Sequence, residues 1–137
     1  MLLDQALNME NRQTILPYFT MGTHAVEAHQ PVSLAMKVMQ EHDLRHLPVL
    51  QDGVVVGEIS ERDLIVWNRQ LESSQDTAIS HIMIEDPYLI DAGAPLAEVA
   101  TTMAERKIGC AIIVTGGRLS GMFTITDALR ALARLSQ

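Results

Sequence analysis

Short apolar runs alternate with turn residues and amphipathic stripes along this chain, and the same order occurs twice. In the first half an extended segment, Ala25-Val26-Glu27-Ala28, leads through Gln30-Pro31 to a helix. Ser33 is its expected N-cap, and Leu34, Ala35, Val38 and Met39 form its apolar stripe. The run Leu47-Pro48-Val49-Leu50 has the length and apolarity of a buried strand. Asp52-Gly53 is a tight-turn dipeptide of the hairpin kind, followed by a second strand over Val54–Ile59. A closing helix begins near Asp63, with Leu64, Ile65 and Trp67 on its apolar side. The second half repeats this: Leu89-Ile90-Asp91-Ala92, a loop at Ala94-Pro95, a helix with Leu96, Val99, Ala100 and Met103, the run Ala111–Val114, the turn Gly116-Gly117, a strand over Arg118–Phe123, and a helix from Asp127 with Leu129, Leu132, Ala133 and Leu135.

Residues 15–73 lie over residues 79–137 at an offset of 64 without a gap. Ile15 meets Ile79, Ala28 meets Ala92, Pro31 meets Pro95, Met39 meets Met103, Gly57 meets Gly121 and Asp63 meets Asp127. Matching glycines, prolines and acids with no insertion mark an internal duplication, whose unit is one supersecondary element needing a neighbour. The reading is a lead-in over 1–14, with Leu2, Leu3 and Leu7 on one face of a short helix, then unit 1 over 15–71, a polar linker over 72–78 and unit 2 over 79–137. Each unit reads β-α-β-β-α, so the fold class is α/β of the α+β type. A unit of about 60 residues buries only roughly 60% of its unfolded-chain surface. Two pseudo-symmetric units packed through their sheets cover each other's exposed faces.

In this order and repetition the chain resembles a tandem pair of cystathionine-β-synthase (CBS) domains, a Bateman module. The resemblance spans roughly residues 15–135 and is carried by His46-Leu47-Pro48-Val49, Asp52-Gly53, Gly57-Glu58-Ile59-Ser60-Glu61-Arg62-Asp63-Leu64 and their partners in the second half. It implies an adenine-containing ligand (AMP, ADP, ATP or a related adenosyl compound) in the cleft between the units, and assembly as a homodimer. It also implies regulation of a partner protein, which the sequence leaves unknown, and not catalysis. The chain resembles the stand-alone form of the module.

The chemistry of such a ligand selects candidate residues. A carboxylate at Asp63 or Asp127 suits a ribose diol, accepting from both hydroxyls. Ser60 or Thr124 supplies a hydroxyl for a ribose or phosphate oxygen, and Arg62 a permanently charged fork for phosphate. Val26 and Ile90, with Leu47 and Ile108, are the expected apolar walls for adenine, and Arg45 and His46 face the phosphates. Ser-x-x-Asp and Thr-x-x-Asp are also close to a capping box that satisfies orphan helix N–H groups, and the two roles coexist. The copies are unequal: Arg62 corresponds to Thr126, Arg45 to Gly109 and His46 to Cys110. The expectation is one better site at Asp63 and a weaker or empty one at Asp127.

Charge and composition narrow the function further. A net charge of -7, with Lys and Arg totalling 10, excludes the basic surface of a nucleic-acid binder, and aromatics at 4% leave no stacking platform. No apolar run reaches the ~18 residues of a membrane span, and Met1–Gln5 lacks the features of a signal peptide. With a single cysteine, Cys110, the expected location is the cytoplasm. Cys110 reads as a small buried hydrophobe. His24 with His29 and His42 with His46 are the pairs with any claim as metal ligands; a helix ending near Asp43 separates the second pair, and no metal or cofactor is expected. Trp67 and the two closing helices are the expected dimer surfaces. No nucleophile elbow, P-loop or His-Glu-x-x-His is present. The alternative to a ligand sensor is an interaction module that uses the same fold only to dimerise or dock.

Overall fold

The computed structural model describes residues 13–137; the expected lead-in helix around Leu2, Leu3 and Leu7 lies outside the described residues. The described elements are β1 (Thr20–Met21), β2 (Val26–Glu27), α1 (Val32–His42), β3 (His46–Gln51), β4 (Val54–Ser60), α2 (Glu61–Asn68), β5 (Leu89–Ile90), α3 (Leu96–Arg106), β6 (Cys110–Thr115), β7 (Arg118–Thr124) and α4 (Ile125–Leu135). Mixed α/β architecture and the repeated β-α-β-β-α unit are as the sequence predicts.

Local chemistry explains the elements. Asp52 and Gly53 have φ of 52° and 80°, and Gly116 and Gly117 have 59° and 81°. Two successive residues at positive φ make the hairpin turn whose twist matches the strands it joins. Helix α1 begins two residues earlier than expected: Pro31 is its N-cap, with no side-chain cap bond, and Ser33 lies inside the first turn. Proline's fixed φ, here -75°, sets the helix entry in place of a capping hydroxyl. Both α1 and α3 end on a left-handed residue, Asp43 and Lys107.

Strand order is β2-β3-β4 in one sheet and β1-β7-β6-β5 in the other. β2 runs parallel to β3, and β3 antiparallel to β4; β5, β6 and β7 repeat the arrangement. Each sheet has two apolar faces because each is covered twice. One face packs on its helices, through Val26, Ala35, Met39, Leu47, Val49, Ile59 and Leu64 in unit 1 and Ile90, Val99, Met103, Ala111, Ile113 and Phe123 in unit 2. The opposite faces meet through Val55, Cys110, Ile112 and Met122. Burying each large aliphatic side chain stabilises the fold by about 1.5–3 kcal/mol.

The leading segments of the units are exchanged. Ile15 is buried in the core of unit 2, and Ile79, its repeat equivalent, in the core of unit 1. β1 extends the second sheet by pairing antiparallel with β7, while Glu58 of β4 exchanges backbone hydrogen bonds with Ile84. Gly57 and Gly121 make this crossing possible. A Cβ on Gly57 would meet Met83 Sδ at 2.7 Å and the Ile84 carbonyl at 2.8 Å. On Gly121 it would strike the Thr20 carbonyl oxygen and the ring of Phe19. The duplicated glycines thus mark where a strand of one unit accepts the lead of the other.

Candidate functional site

Each closing helix starts on a capping box built from the hydroxyl and carboxylate picked out in the sequence. Ser60 is the N-cap of α2: its backbone N–H and its hydroxyl donate to Asp63 Oδ2 at 2.9 and 2.8 Å, and the Asp63 N–H donates back to Ser60 Oγ at 3.1 Å. Thr124 and Asp127 repeat this in α4 at 2.9, 3.1 and 3.3 Å. A carboxylate in a first turn also complements the helix dipole. Both motifs therefore do the capping work that their spacing allows.

What remains of each carboxylate differs. Asp63 is half-buried, and among the described residues nothing bonds its Oδ1. Asp127 is 4% exposed. Its Oδ1 accepts from Thr20 Oγ1 at 3.5 Å and lies 3.7 Å from an Arg130 nitrogen. Asp63 lines a cleft of about 460 Å³ with Arg62, Val66, Trp67 and Gln70 of α2 and with His81 and Ile82 of the segment crossing between the units. At the equivalent positions in unit 2, the chain's own side chains come together. Arg130 stands for Val66 and pairs with Asp127, while Arg134 stands for Gln70 and stacks 5.1 Å from the ring of Tyr18, the counterpart of Ile82.

The other candidates are dispersed. Val26, Leu47 and Ile90 are core side chains, closed in by α1 and α3, so in this conformation they offer no wall to an adenine. Pairing sets Val26 opposite Val49 and Ile90 opposite Ile113, on the helix-facing side of each sheet. Ile108 lines a separate apolar cleft of about 460 Å³ between α3 and α4, with Met103, Lys107, Ile125 and Ala128. Arg45 is exposed, and its carbonyl accepts from the Glu61 N–H at 2.8 Å at the start of α2. His46, expected to face the phosphates, is held instead between the two units. Its Nδ1 lies 2.9 Å from Glu58 Oε1, and its Nε2 abuts Gly109 of unit 2, where a Cβ would come within 2.9 Å.

Glu58 is the residue that sequence reasoning missed. A carboxylate inside Val54–Ile59 was the available signal, since an acid in a doubly covered strand needs a partner. His42 does not pair with His46 but stacks on His24, ring centroids 3.6 Å apart. Their repeat equivalents are Arg106 and Tyr88, which make a cation–π contact at 5.4 Å. Cys110 is buried between the sheets, and its thiol is held well above its ordinary value by burial first, then by the charges of Glu58 and Asp127.

The CBS domain model matches residues 22–68 and 79–134. Hypoxic response protein 1 of Mycobacterium tuberculosis is 27% identical over 113 residues, covering 81% of this chain and 79% of the relative. An uncharacterized conserved protein from Pyrococcus horikoshii has a solved structure that superposes with a TM-score of 0.77 at 31% identity, over 88% of this chain and 92% of its own. The structure of CBSX2 in complex with AMP superposes with a TM-score of 0.81, over 90% of this chain and 98% of its own; at 23% identity the likeness is one of fold.

Proposed function

The chain belongs to the CBS domain family as a tandem pair of units, and on that premise we propose that it is a regulatory module whose Asp63 cleft binds an adenine nucleotide or a related adenosyl ligand. The observation that carries this reading is the spare oxygen of Asp63, half-exposed in a cleft beside Arg62. A carboxylate that already caps a helix through one oxygen is held rigidly enough to receive a diol on the other. That CBSX2 holds AMP on the same fold supports the choice of ligand class. The module acts by binding, its ligand favouring one packing of the units, which a partner protein reads. The lone thiol of Cys110 suits a cytoplasmic setting.

Calorimetric titration with AMP, ADP and ATP, with thermal shifts alongside, tests the reading. A ligand at 100 times its Kd stabilises by about 2.7 kcal/mol. If none of the three, nor S-adenosylmethionine in the same assays, binds or raises the melting temperature, the sensor reading fails. Docking through the closing helices is a second reading, favoured by one feature. Ile125, Leu129, Leu132 and Leu135 form a stripe along α4 and are 50–62% exposed. A homodimer through this face should dissociate in L129E/L132E under sedimentation; a variant that stays dimeric removes that face from the interface.

A further inference from the structure

The lining of the Asp63 cleft carries more than a ligand class: it bears on which adenosyl compounds the site accepts, a question that rests on the proposed adenosyl-binding function. Charges there are few and of opposite kinds. Asp63 contributes one carboxylate, with Oδ2 committed to Ser60. Next to it Arg62 is exposed on the same rim, and among the described residues no ion pair neutralises it. His81, from the crossing segment, lines the same cleft and adds a second donor. Glu61 precedes Arg62 but does not line the cleft. Trp67, the only tryptophan of the chain, lines it too, and its indole N–H is tied away to the Ser74 carbonyl at 3.4 Å.

These groups divide the work by charge. The acid suits neutral hydroxyl donors, the guanidinium and the imidazole suit an anion, and Trp67, Val66 and Ile82 suit a flat apolar ring. An adenosyl ligand whose tail is a sulfonium would set a cation beside Arg62, whereas a phosphate tail would meet a bidentate donor. We propose that the cleft selects phosphate-bearing adenine nucleotides against cationic adenosyl compounds, and that Arg62 is the specificity-determining residue. Position 126 of unit 2 is a threonine and cannot make this choice.

The experiment titrates ADP, adenosine and S-adenosylmethionine into the full chain and into R62Q, read by calorimetry and by quenching of Trp67. ADP should bind the natural chain at least tenfold more tightly than S-adenosylmethionine. In R62Q the ADP affinity should fall at least tenfold while that for adenosine stays within twofold, which also shows that the variant is folded. Equal binding of ADP and S-adenosylmethionine by the natural chain would overturn the inference and leave the adenosyl-binding function standing. So would an R62Q variant that loses adenosine as much as ADP. Failure of all three compounds to bind removes the adenosyl-binding function and this inference with it.

Discussion

Replacing Asp63 and Asp127 separately by alanine should part a ligand-binding carboxylate from a purely structural one. Both accept the same two hydrogen bonds, from the N-cap N–H at 2.9 Å and from the N-cap hydroxyl at 2.8 Å in α2 and 3.1 Å in α4. A helix cap is worth about 1 kcal/mol, and a hydrogen bond to a charged group about 1.5–3. At Asp127 the carboxylate is buried, so its loss strands the Thr124 N–H away from water. We expect D127A to cost about 2–3 kcal/mol, on the order of 8 °C in melting temperature for a chain of this size. Arg130 adds less than about 1 kcal/mol to that, because its side chain is 73% exposed and solvent screens the pair. At Asp63 water reaches the vacated bonds, and D63A should cost only about 1 kcal/mol. Ligand affinity should move the other way: losing two charge-assisted bonds to a ribose weakens ADP by at least roughly 100-fold in D63A, with D127A within about twofold of the natural chain. Urea denaturation reads the first quantity and calorimetric titration the second. The reasoning is refuted if D127A weakens ADP as much as D63A does, or if D63A leaves affinity unchanged.

Other substitutions test the packing. G57A drives a methyl into the Ile84 carbonyl, which cannot rotate aside, and should cost about 2–3 kcal/mol by urea midpoint; G93A, whose Cβ meets nothing closer than 3.6 Å, should stay within about 0.5 kcal/mol. E58A removes the partner of His46 from between the units and should cost about 2–3 kcal/mol, with E58Q recovering more than half by keeping a hydrogen-bond acceptor; equal losses in the two variants would deny that bond any role. Cys110 sets an alkaline limit. Its folded pKa is raised, so above the ordinary thiol value the unfolded chain gives up a proton that the folded chain keeps. Stability then falls as pH rises, by about 1.4 kcal/mol per unit. C110A should lack this slope above about pH 9. Finally, ADP titration should give one site per chain, and two equal sites would contradict the reading of the second cap.

How far the sequence speaks differs from residue to residue. Most local chemistry was legible, although the cap expected at Ser33 falls on Pro31. The left-handed turns at Asp52-Gly53 and Gly116-Gly117 and the caps at Ser60 and Thr124 follow from residue types at fixed spacing. Partners across the fold were not. An offset of 64 says that Ile15 resembles Ile79; it does not say that each packs in the other's unit. The His46–Glu58 bond needed the register that sets Pro48 opposite Glu58 and His46 opposite Ser60, making His46 and Glu58 diagonal neighbours on one face. Short strands hid the burial of Val26 and Ile90, because two residues show no alternation to read.

The duplication has kept whatever the backbone requires and changed what stands beside it. Gly57 and Gly121 persist because the leading segment of the other unit lies where a side chain would be, and Asp63 and Asp127 persist because each closes a helix N-terminus. Around these fixed points the pairs have diverged in charge. Positions 24 and 42 hold two stacked imidazoles, where 88 and 106 hold a tyrosine under an arginine. Positions 62, 66 and 70 are Arg, Val and Gln, while 126, 130 and 134 are Thr, Arg and Arg. In unit 1 the cation stands beside the carboxylate without an ion-pair partner among the described residues, and the cleft stays open. In unit 2 the cations have moved one and two turns along the helix, where they engage Asp127 and Tyr18. A fold held by two equivalent caps thus presents two inequivalent surfaces, and the difference lies in where arginine sits on the closing helix.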